Sequence, residues 1–232
     1  MKRFYREAAA VTGDSAFMVH LDGKPLQTPV KRALEVPTRA LAEAIAAEWQ
    51  RQGTTIVPHS LPLTRLASTA IDRVAPNRAA VIREIANYAT TDLVCYRAPE
   101  PAELVSRQHA AWQPLLDWTQ ERFAARLIAT HSITPMAQAP EALAAITGAI
   151  ERQGAMELAA LHLATAACGS VVVGLALLEE RLGPDAAFAA AQLDESYQME
   201  RWGEDSEQTR RRASLKEDIH LAARFLGLLR AD

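Results

Sequence analysis

Hydrophobic and polar positions alternate in short runs through the first part of the chain, a pattern typical of strands and short helices. The apolar run Phe17–Leu21 ends at the dipeptide Asp22-Gly23, and Lys24–Leu26 follows. Because Asp-Gly accepts the positive φ angles of a tight turn, these segments predict a β-hairpin. Pro25 and Pro29 place its second arm at a sheet edge, since proline has no amide proton to donate.

A helix is predicted after the hairpin. Thr38 supplies a side-chain cap, and Leu41, Ile45 and Trp49 recur every fourth residue. This spacing places the three apolar side chains on one helical face, which predicts that the helix packs against a core.

Two further apolar runs, Thr54–Pro58 and Leu93–Tyr96, are interpreted as short strands, the second of which closes the sheet. The stretch Arg97–Pro101 then holds two prolines within three positions, so neither a helix nor a central strand passes through it easily. We place a domain boundary there, with a mixed α/β domain over residues 1–98.

Every long segment after this boundary has the spacing of apolar residues that is typical of helices. The predicted helices are, in order, Leu104–Phe123, Ala142–Gln153, Met156–Leu182, Asp185–Trp202 and Glu207–Arg230. Frequent alanine supports them, because alanine has the highest helix propensity. The predicted fold class is therefore α+β: a small mixed N-terminal domain with a short sheet, followed by an all-α helical bundle over residues 99–232.

One apolar segment, Leu158–Leu178, has the length of a membrane span and contains no Asp, Glu, Lys or Arg. It is rich in alanine, includes His162, and is flanked by Glu157 and Glu179 without an adjacent basic anchor. A helix buried at the centre of the bundle is therefore favoured over a membrane span, and no membrane insertion is expected.

Composition narrows the class of protein. The 232 residues are 49% hydrophobic and 23% charged, as in a soluble globular protein. Lys and Arg number 25 against 28 Asp and Glu, a net charge of -3 that argues against nucleic-acid binding through bulk charge. Cys95 and Cys168 match no metal-ligand spacing, and the first residues contain no apolar stretch of an export signal. We expect a reducing, cytoplasmic location.

The sequence holds none of the common catalytic or nucleotide-binding motifs. The nearest match to a phosphate loop is Gly169–Gly174, but Leu175 and Ala176 stand where Lys and Ser or Thr would contact phosphate and magnesium. The two glycines are better explained by close helix packing. We therefore predict no catalytic residue, no cofactor and no metal site.

A charged segment near the end of the chain stands out. Asp194–Glu207 is rich in carboxylates and is followed by the basic triplet Arg210–Arg212. Gly203 is interpreted as a helix end, and Asp205 or Ser206 as the N-cap of the last helix. Three interpretations are open: a solvated helix end with local ion pairs, a surface that binds a basic protein partner, or a divalent-metal or acid-base enzyme site.

Six segments, taken together, resemble those of one protein family. They are Arg3–Tyr5, Leu21–Pro29, Pro62–Ala67, Tyr88–Arg97, Trp112–Trp118 and Trp202–Asp205. In this order they resemble the ATP synthase F1 complex assembly factor 2 family, whose members are chaperones for the F1 alpha subunit. The match runs nearly end to end, and without a leader peptide the chain is similar to a bacterial member.

The resemblance implies a function without chemistry of its own. Such a protein binds the unassembled alpha subunit, prevents its aggregation and hands it to the beta subunit. It is not an enzyme, and it acts in the cytoplasm, or in the mitochondrial matrix in eukaryotic relatives. A monomer is expected.

The resemblance also implies a partner-binding site on the carboxylate-rich segment. An acidic residue important to the family aligns best with Glu195, and Asp194 and Glu200 are the rival positions. Tyr197 stands where relatives commonly have tryptophan, and Trp202 adds a second large amphipathic side chain. Aromatic side chains beside fixed charge are typical of protein-binding surfaces, which supports the same assignment.

Overall fold

The computed structural model describes residues 1–132, 134–203 and 205–231. Its contacts divide the chain into two compact units. The first unit comprises residues 1–78, 154–160 and 224–232, and the second comprises residues 79–153 and 161–223. Each unit is made of segments that are separated in the sequence. The division into domains 1–98 and 99–232, which the sequence predicts, differs from these units and stays a prediction. The predicted α+β class is confirmed, since a small antiparallel sheet precedes a mostly helical remainder.

The first unit contains a four-stranded sheet organised around one central strand. Its strands are β1 (Ala8–Thr12), β2 (Phe17–Leu21), β3 (Lys24–Pro25) and β4 (Glu35–Val36), and β2 pairs antiparallel with each of the others. The predicted hairpin is confirmed: Asp22 and Gly23 turn the chain between β2 and β3 with φ angles of 48° and 78°.

Two helices of the first unit follow, α1 (Arg39–Gln50) and α2 (Pro62–Thr69). The Thr38 side chain caps α1 as predicted, accepting a hydrogen bond from the Leu41 amide at 3.3 Å. The expected strand at Thr54–Pro58 is wrong, because only a single bridge joins Thr55 to Lys2 and a helical turn begins at Pro58.

Eight further α-helices follow in the part of the chain that the structure describes. They are α3 (Arg78–Asn87), α4 (Ala102–Phe123), α5 (Pro140–Glu151), α6 (Ala155–Cys168), α7 (Val171–Leu178), α8 (Pro184–Ala191), α9 (Leu193–Trp202) and α10 (Ser206–Arg230). In the second unit, Trp112 of α4 is fully buried and its indole donates to the carbonyl oxygen of Ala190 at 2.9 Å. This contact fixes α4 against the end of α8.

The single central helix predicted over Met156–Leu182 is wrong, although its apolar core is buried. Gly169 adopts a φ of +63°, which ends α6, and the Ser170 hydroxyl caps α7 by accepting from the Val173 amide at 3.0 Å. Within the described ranges, no helix has both the length and the apolar content that a membrane crossing requires.

Two other predictions are corrected. Leu93–Cys95 is a helical turn within the core of the second unit and does not close the sheet, because the Asp92 carboxylate accepts from the Val94 amide and starts a turn. The helix predicted over Asp185–Trp202 is two helices, α8 and α9, interrupted at Gln192.

Candidate protein-binding surface

All five residues predicted to bind a partner lie on one short helix of the second unit, α9. Its start is fixed by Gln192, whose carbonyl oxygen accepts from the Ser196 amide at 2.9 Å and from its hydroxyl at 2.6 Å. Its end is at Gly203, as predicted, where φ is +89° and the amide donates to the carbonyl oxygen of Met199. A left-handed φ of this kind costs glycine little, so the helix stops there.

The structure separates the five residues into two groups. Asp194 and Glu200 are hydrogen-bonded to α4, and Tyr197 lies buried between them. Glu195 and Trp202 are seven positions apart, and at about 100° per residue both lie on the other side of the helix. Trp202 is 76% exposed. The predicted set is therefore not one cluster.

Asp194 has a structural contact within the protein. Its carboxylate accepts a hydrogen bond from the side-chain amide of Gln108 at 2.7 Å, and Gln108, fully buried, accepts in turn from the Ala98 amide at 2.8 Å. Burial raises the pKa of the Asp194 carboxyl, and the bond from Gln108 opposes part of that rise. Through Gln108, Asp194 joins α9 to α4 and to the segment at Ala98 that precedes α4.

Four charged side chains form a continuous network between α4 and α9. Arg107 contacts Glu103 at 2.8 Å and Glu200 at 2.7 Å, and Arg201 contacts Glu103 at 2.7 Å. Hydrogen bonds from both guanidinium groups, that of Arg201 first, lower the pKa of the Glu103 carboxyl. Exposed pairs of this kind contribute little stability singly, but a network fixes geometry.

The ring of Tyr197 lies within this network. The guanidinium carbons of Arg107 and Arg201 are 5.3 and 4.7 Å from its centroid, which is the geometry of cation–π contacts. The ring is almost fully buried, and its hydroxyl has no hydrogen-bond partner among the described residues. Tyr197 therefore anchors α9 on α4 and does not present an aromatic surface to a partner.

The other side of α9 is available for contact. Glu195 makes no hydrogen bond or ion pair within ranges 1–132, 134–203 and 205–231, and Met199 is half-buried beside it. With the exposed indole of Trp202, this face combines an aromatic group, a thioether and a free carboxylate. We call the surface formed by Glu195, Met199 and Trp202 the outer face of α9.

An apolar cleft of about 640 Å³ lies between α4, α8 and α9, and the sequence analysis missed it. Its lining is mostly alanine and leucine: Arg107, Ala110, Ala111, Leu115, Leu182, Ala186, Ala189, Ala190, Leu193 and Ser196. Small side chains on facing helices leave the space unfilled. The sequence did contain one indication of this cleft. Ala186, Ala189 and Ala190 are spaced so that they lie along one face of α8, where small side chains leave room.

Among the described residues, no ion pair joins the basic triplet Arg210–Arg212 to a neighbouring carboxylate, unlike the local pairs that the solvated-end interpretation predicts. The Arg212 guanidinium donates to the Ser196 hydroxyl at 2.8 Å and lies 3.3 Å from the side-chain oxygen of Gln192. Asp205 caps α10 as predicted, accepting from the Glu207 amide at 3.4 Å.

The metal-site interpretation finds no support in the described residues. No group of three or more His, Cys, Asp or Glu side chains is arranged to hold an ion in that part of the chain. Glu204, a member of the predicted carboxylate segment, lies outside the described residues. Burial raises the pKa of both the Cys95 and Cys168 thiols to about 12, so neither is a thiolate near neutral pH.

Comparison with known proteins gives the class to which this chain belongs: it is a chaperone. The chain belongs to the ATP12 chaperone protein family, whose model matches residues 2–120. The predicted family is thereby confirmed, and with it a chaperone of ATP synthase assembly.

Individual relatives support this assignment along nearly the whole chain. The mitochondrial protein atp12 of Schizosaccharomyces pombe is 27% identical over 214 residues, covering 87% of this chain and 74% of that protein. The crystal structure of Atp12 from Paracoccus denitrificans is 38% identical with a TM-score of 0.95, covering 99% of this chain and 98% of that one. A mutant of the Paracoccus protein with lysine in place of an aspartate gives the same values.

Proposed function

We propose that this protein binds the unassembled alpha subunit of F1 ATP synthase, its client, prevents the client from aggregating and hands it to the beta subunit. Membership of the ATP12 chaperone family supports the general role. The observation that carries the specific proposal is the outer face of α9, where Trp202 is 76% exposed beside the free carboxylate of Glu195. In this proposal the protein acts in the cytoplasm. The S. pombe relative is mitochondrial according to its name.

The chemistry of this face suits a chaperone that must later release its client. An unassembled subunit exposes an apolar interface that self-associates unless it is covered. A single exposed tryptophan supplies the kind of contact that dominates binding energy at protein interfaces. The carboxylate of Glu195 attracts a basic partner surface, which raises the association rate and sets orientation more than it raises affinity. The true neighbour can then displace the chaperone.

The attachment of α9 to α4 supports the same proposal. The contacts of Arg107, Glu103, Glu200 and Arg201 fix the helix before any partner arrives. A surface that is already ordered loses less conformational entropy when it binds. The outer face of α9 is therefore presented on a fixed support.

Co-expression with the cognate alpha subunit tests the proposal. The unmodified protein is expected to raise the amount of soluble alpha subunit and to co-purify with it, whereas Glu195→Lys and Trp202→Ala weaken both effects. Glu217→Lys is the control for the change of charge, since Glu217 is an exposed glutamate on another helix, α10. The Paracoccus mutant retains a TM-score of 0.95 to this fold, so an acid-to-lysine change is compatible with it. No complex and no gain in soluble alpha subunit with the unmodified protein would refute the proposal.

A further inference from the structure

The first unit contains a second candidate contact site, a pocket of about 520 Å³. Its floor is apolar: Tyr5, Leu21, Leu26 and Trp49 are each at most 9% exposed. The Tyr5 hydroxyl donates to the carbonyl oxygen of Trp49 at 2.7 Å, and the two rings pack edge to face with centroids 5.7 Å apart. A pocket of this size accommodates one or two large side chains.

Exposed apolar side chains surround this pocket. Phe4 is 64% exposed and rests edge-on against Tyr5 with ring centroids 5.4 Å apart. Val30 is 57% exposed and lies between Pro29 and Lys31, which both line the pocket. Scattered exposed apolar residues are ordinary, but their grouping beside a cavity is typical of a contact surface.

The charge at the rim is positive and unpaired. The ammonium groups of Lys24 and Lys31 are exposed, and neither forms an ion pair with any residue that the structure describes. The lining also contains Asp22, whose carboxylate accepts from the amides of Glu7 and Arg6 at 2.9 and 3.0 Å; these bonds lower its pKa, so it stays ionised. The two lysines outnumber this carboxylate, so the side-chain charge that the pocket offers to a ligand is positive on balance.

The wall that carries these lysines is fixed before any ligand binds. The Thr28 hydroxyl donates to the Asp72 carboxylate at 2.8 Å, and the Lys31 amide donates to the Thr28 carbonyl oxygen at 2.9 Å. Lys31 has a φ of 70°, a conformation that this tight turn imposes. A preformed pocket binds a ligand with a smaller loss of entropy than a mobile loop does.

The pocket coincides with the part of the chain that identifies the family. Two of the segments that carry the resemblance, Arg3–Tyr5 and Leu21–Pro29, supply most of its lining, and the family model matches residues 2–120. Tyr5 and Leu26 are explained by core packing, but the exposed residues Phe4 and Lys24 are not.

We propose that this pocket docks a segment of the client in which a large apolar side chain lies beside one or two carboxylates. The apolar side chain enters between Phe4 and the floor of the pocket, and the carboxylates meet Lys24 and Lys31. The proposal rests on the proposed function, since it names a second feature of the same client. The pocket and the outer face of α9 require opposite charges on the client. Glu195 attracts a basic surface of the client, whereas the lysines of the pocket attract an acidic one.

Binding measurements with charge-reversed variants test the pocket. The double variant Lys24→Glu/Lys31→Glu is expected to bind purified alpha subunit about tenfold more weakly at low ionic strength, with a smaller difference as salt screens the charges. Phe4→Ser is expected to weaken binding without this salt dependence. Arg51→Glu is the control, because Arg51 is an exposed cation of the same unit that lies outside the pocket and outside the segments that carry the resemblance. Thermal unfolding of each variant verifies that the fold is retained.

A photoreactive benzophenone side chain in place of Phe4 identifies the occupant. The expected result is a cross-link to an alpha-subunit peptide that contains Asp or Glu beside a large apolar residue. If the unmodified protein binds alpha subunit and the double variant binds equally well, the pocket proposal is refuted while the proposed function stands. A cross-link to a basic peptide, or to a second copy of this chain, also refutes it. If the unmodified protein binds no alpha subunit, the proposed function fails and the pocket proposal fails with it.

Discussion

Asp92 is a buried carboxylate whose removal has a calculable effect on stability. It is fully buried, and its oxygens accept from the Ser170 hydroxyl at 2.6 Å, the Val172 amide at 3.1 Å and the Val94 amide at 3.2 Å. Asp92→Ala leaves three buried donors without this acceptor. Each unsatisfied donor costs roughly 1–3 kcal/mol, although the Ser170 hydroxyl can turn to another acceptor, so we expect a loss of about 3–5 kcal/mol in acid.

The size of this loss depends on pH. Burial raises the pKa of the Asp92 carboxyl from 3.8 to about 6, despite the hydrogen bonds from Ser170, Val172, Val94 and Val171 that favour its ionised form. Because the folded-state pKa is the higher one, the contribution of this group to stability is complete below pH 3.8 and is lost as the pH rises through 6. At 1.36 kcal/mol per pKa unit the total change is about 3 kcal/mol, of which about 2 falls between about pH 4.5 and 7.5.

Urea unfolding of the unmodified protein and of Asp92→Ala, followed by circular dichroism at both pH values, measures the difference directly. The variant is expected to be less stable at each pH, and the gap in unfolding free energy should narrow by about 2 kcal/mol at the higher pH. Glu121→Ala, at an exposed position of α4, is the control and should give a small, constant difference. A gap that stays constant or widens as the pH rises would show that the ionisation of Asp92 is not penalised in the folded protein.

Three further outcomes are expected from single changes. Glu48→Gln should lower the urea midpoint by the equivalent of about 2 kcal/mol, because the buried carboxylate accepts from two amides and the Thr64 hydroxyl at the start of α2. Gly174→Ala should cost about 1–3 kcal/mol in thermal unfolding, since a Cβ there meets the Thr165 hydroxyl at 2.6 Å, and adding Thr165→Ala should recover part of the loss. Glu103→Gln should leave the urea midpoint nearly unchanged at physiological salt, because the ion pairs of this residue are exposed; a large decrease would show that these pairs contribute substantially to the free energy of unfolding.

Features that depend on neighbouring residues were predictable from the sequence. The cap at Thr38, the turn at Asp22-Gly23 and the helix end at Gly203 each follow from the chemistry of one or two side chains, and each is confirmed. The break between α6 and α7 also has a local cause, the positive φ of Gly169 and the Ser170 cap, but the apolar pattern continues across it and predicts one helix. The hydrogen bond from Ser170 to Asp92, which lies 78 positions away, could not be predicted from neighbouring residues.

The candidate site, too, could be predicted from the sequence only in part. Its five residues were predicted from their types and from the resemblance, and their helical spacing alone separates Glu195 and Trp202 from Tyr197. What the spacing does not show is which of these side chains have partners within the protein, because that depends on the arginines. Arg107 and Arg201 lie almost a hundred positions apart, yet both stack on Tyr197 and bind Glu103. Once they do so, Glu200 and Tyr197 have partners within the protein, and of the three carboxylates in the predicted set only Glu195 has none among the described residues.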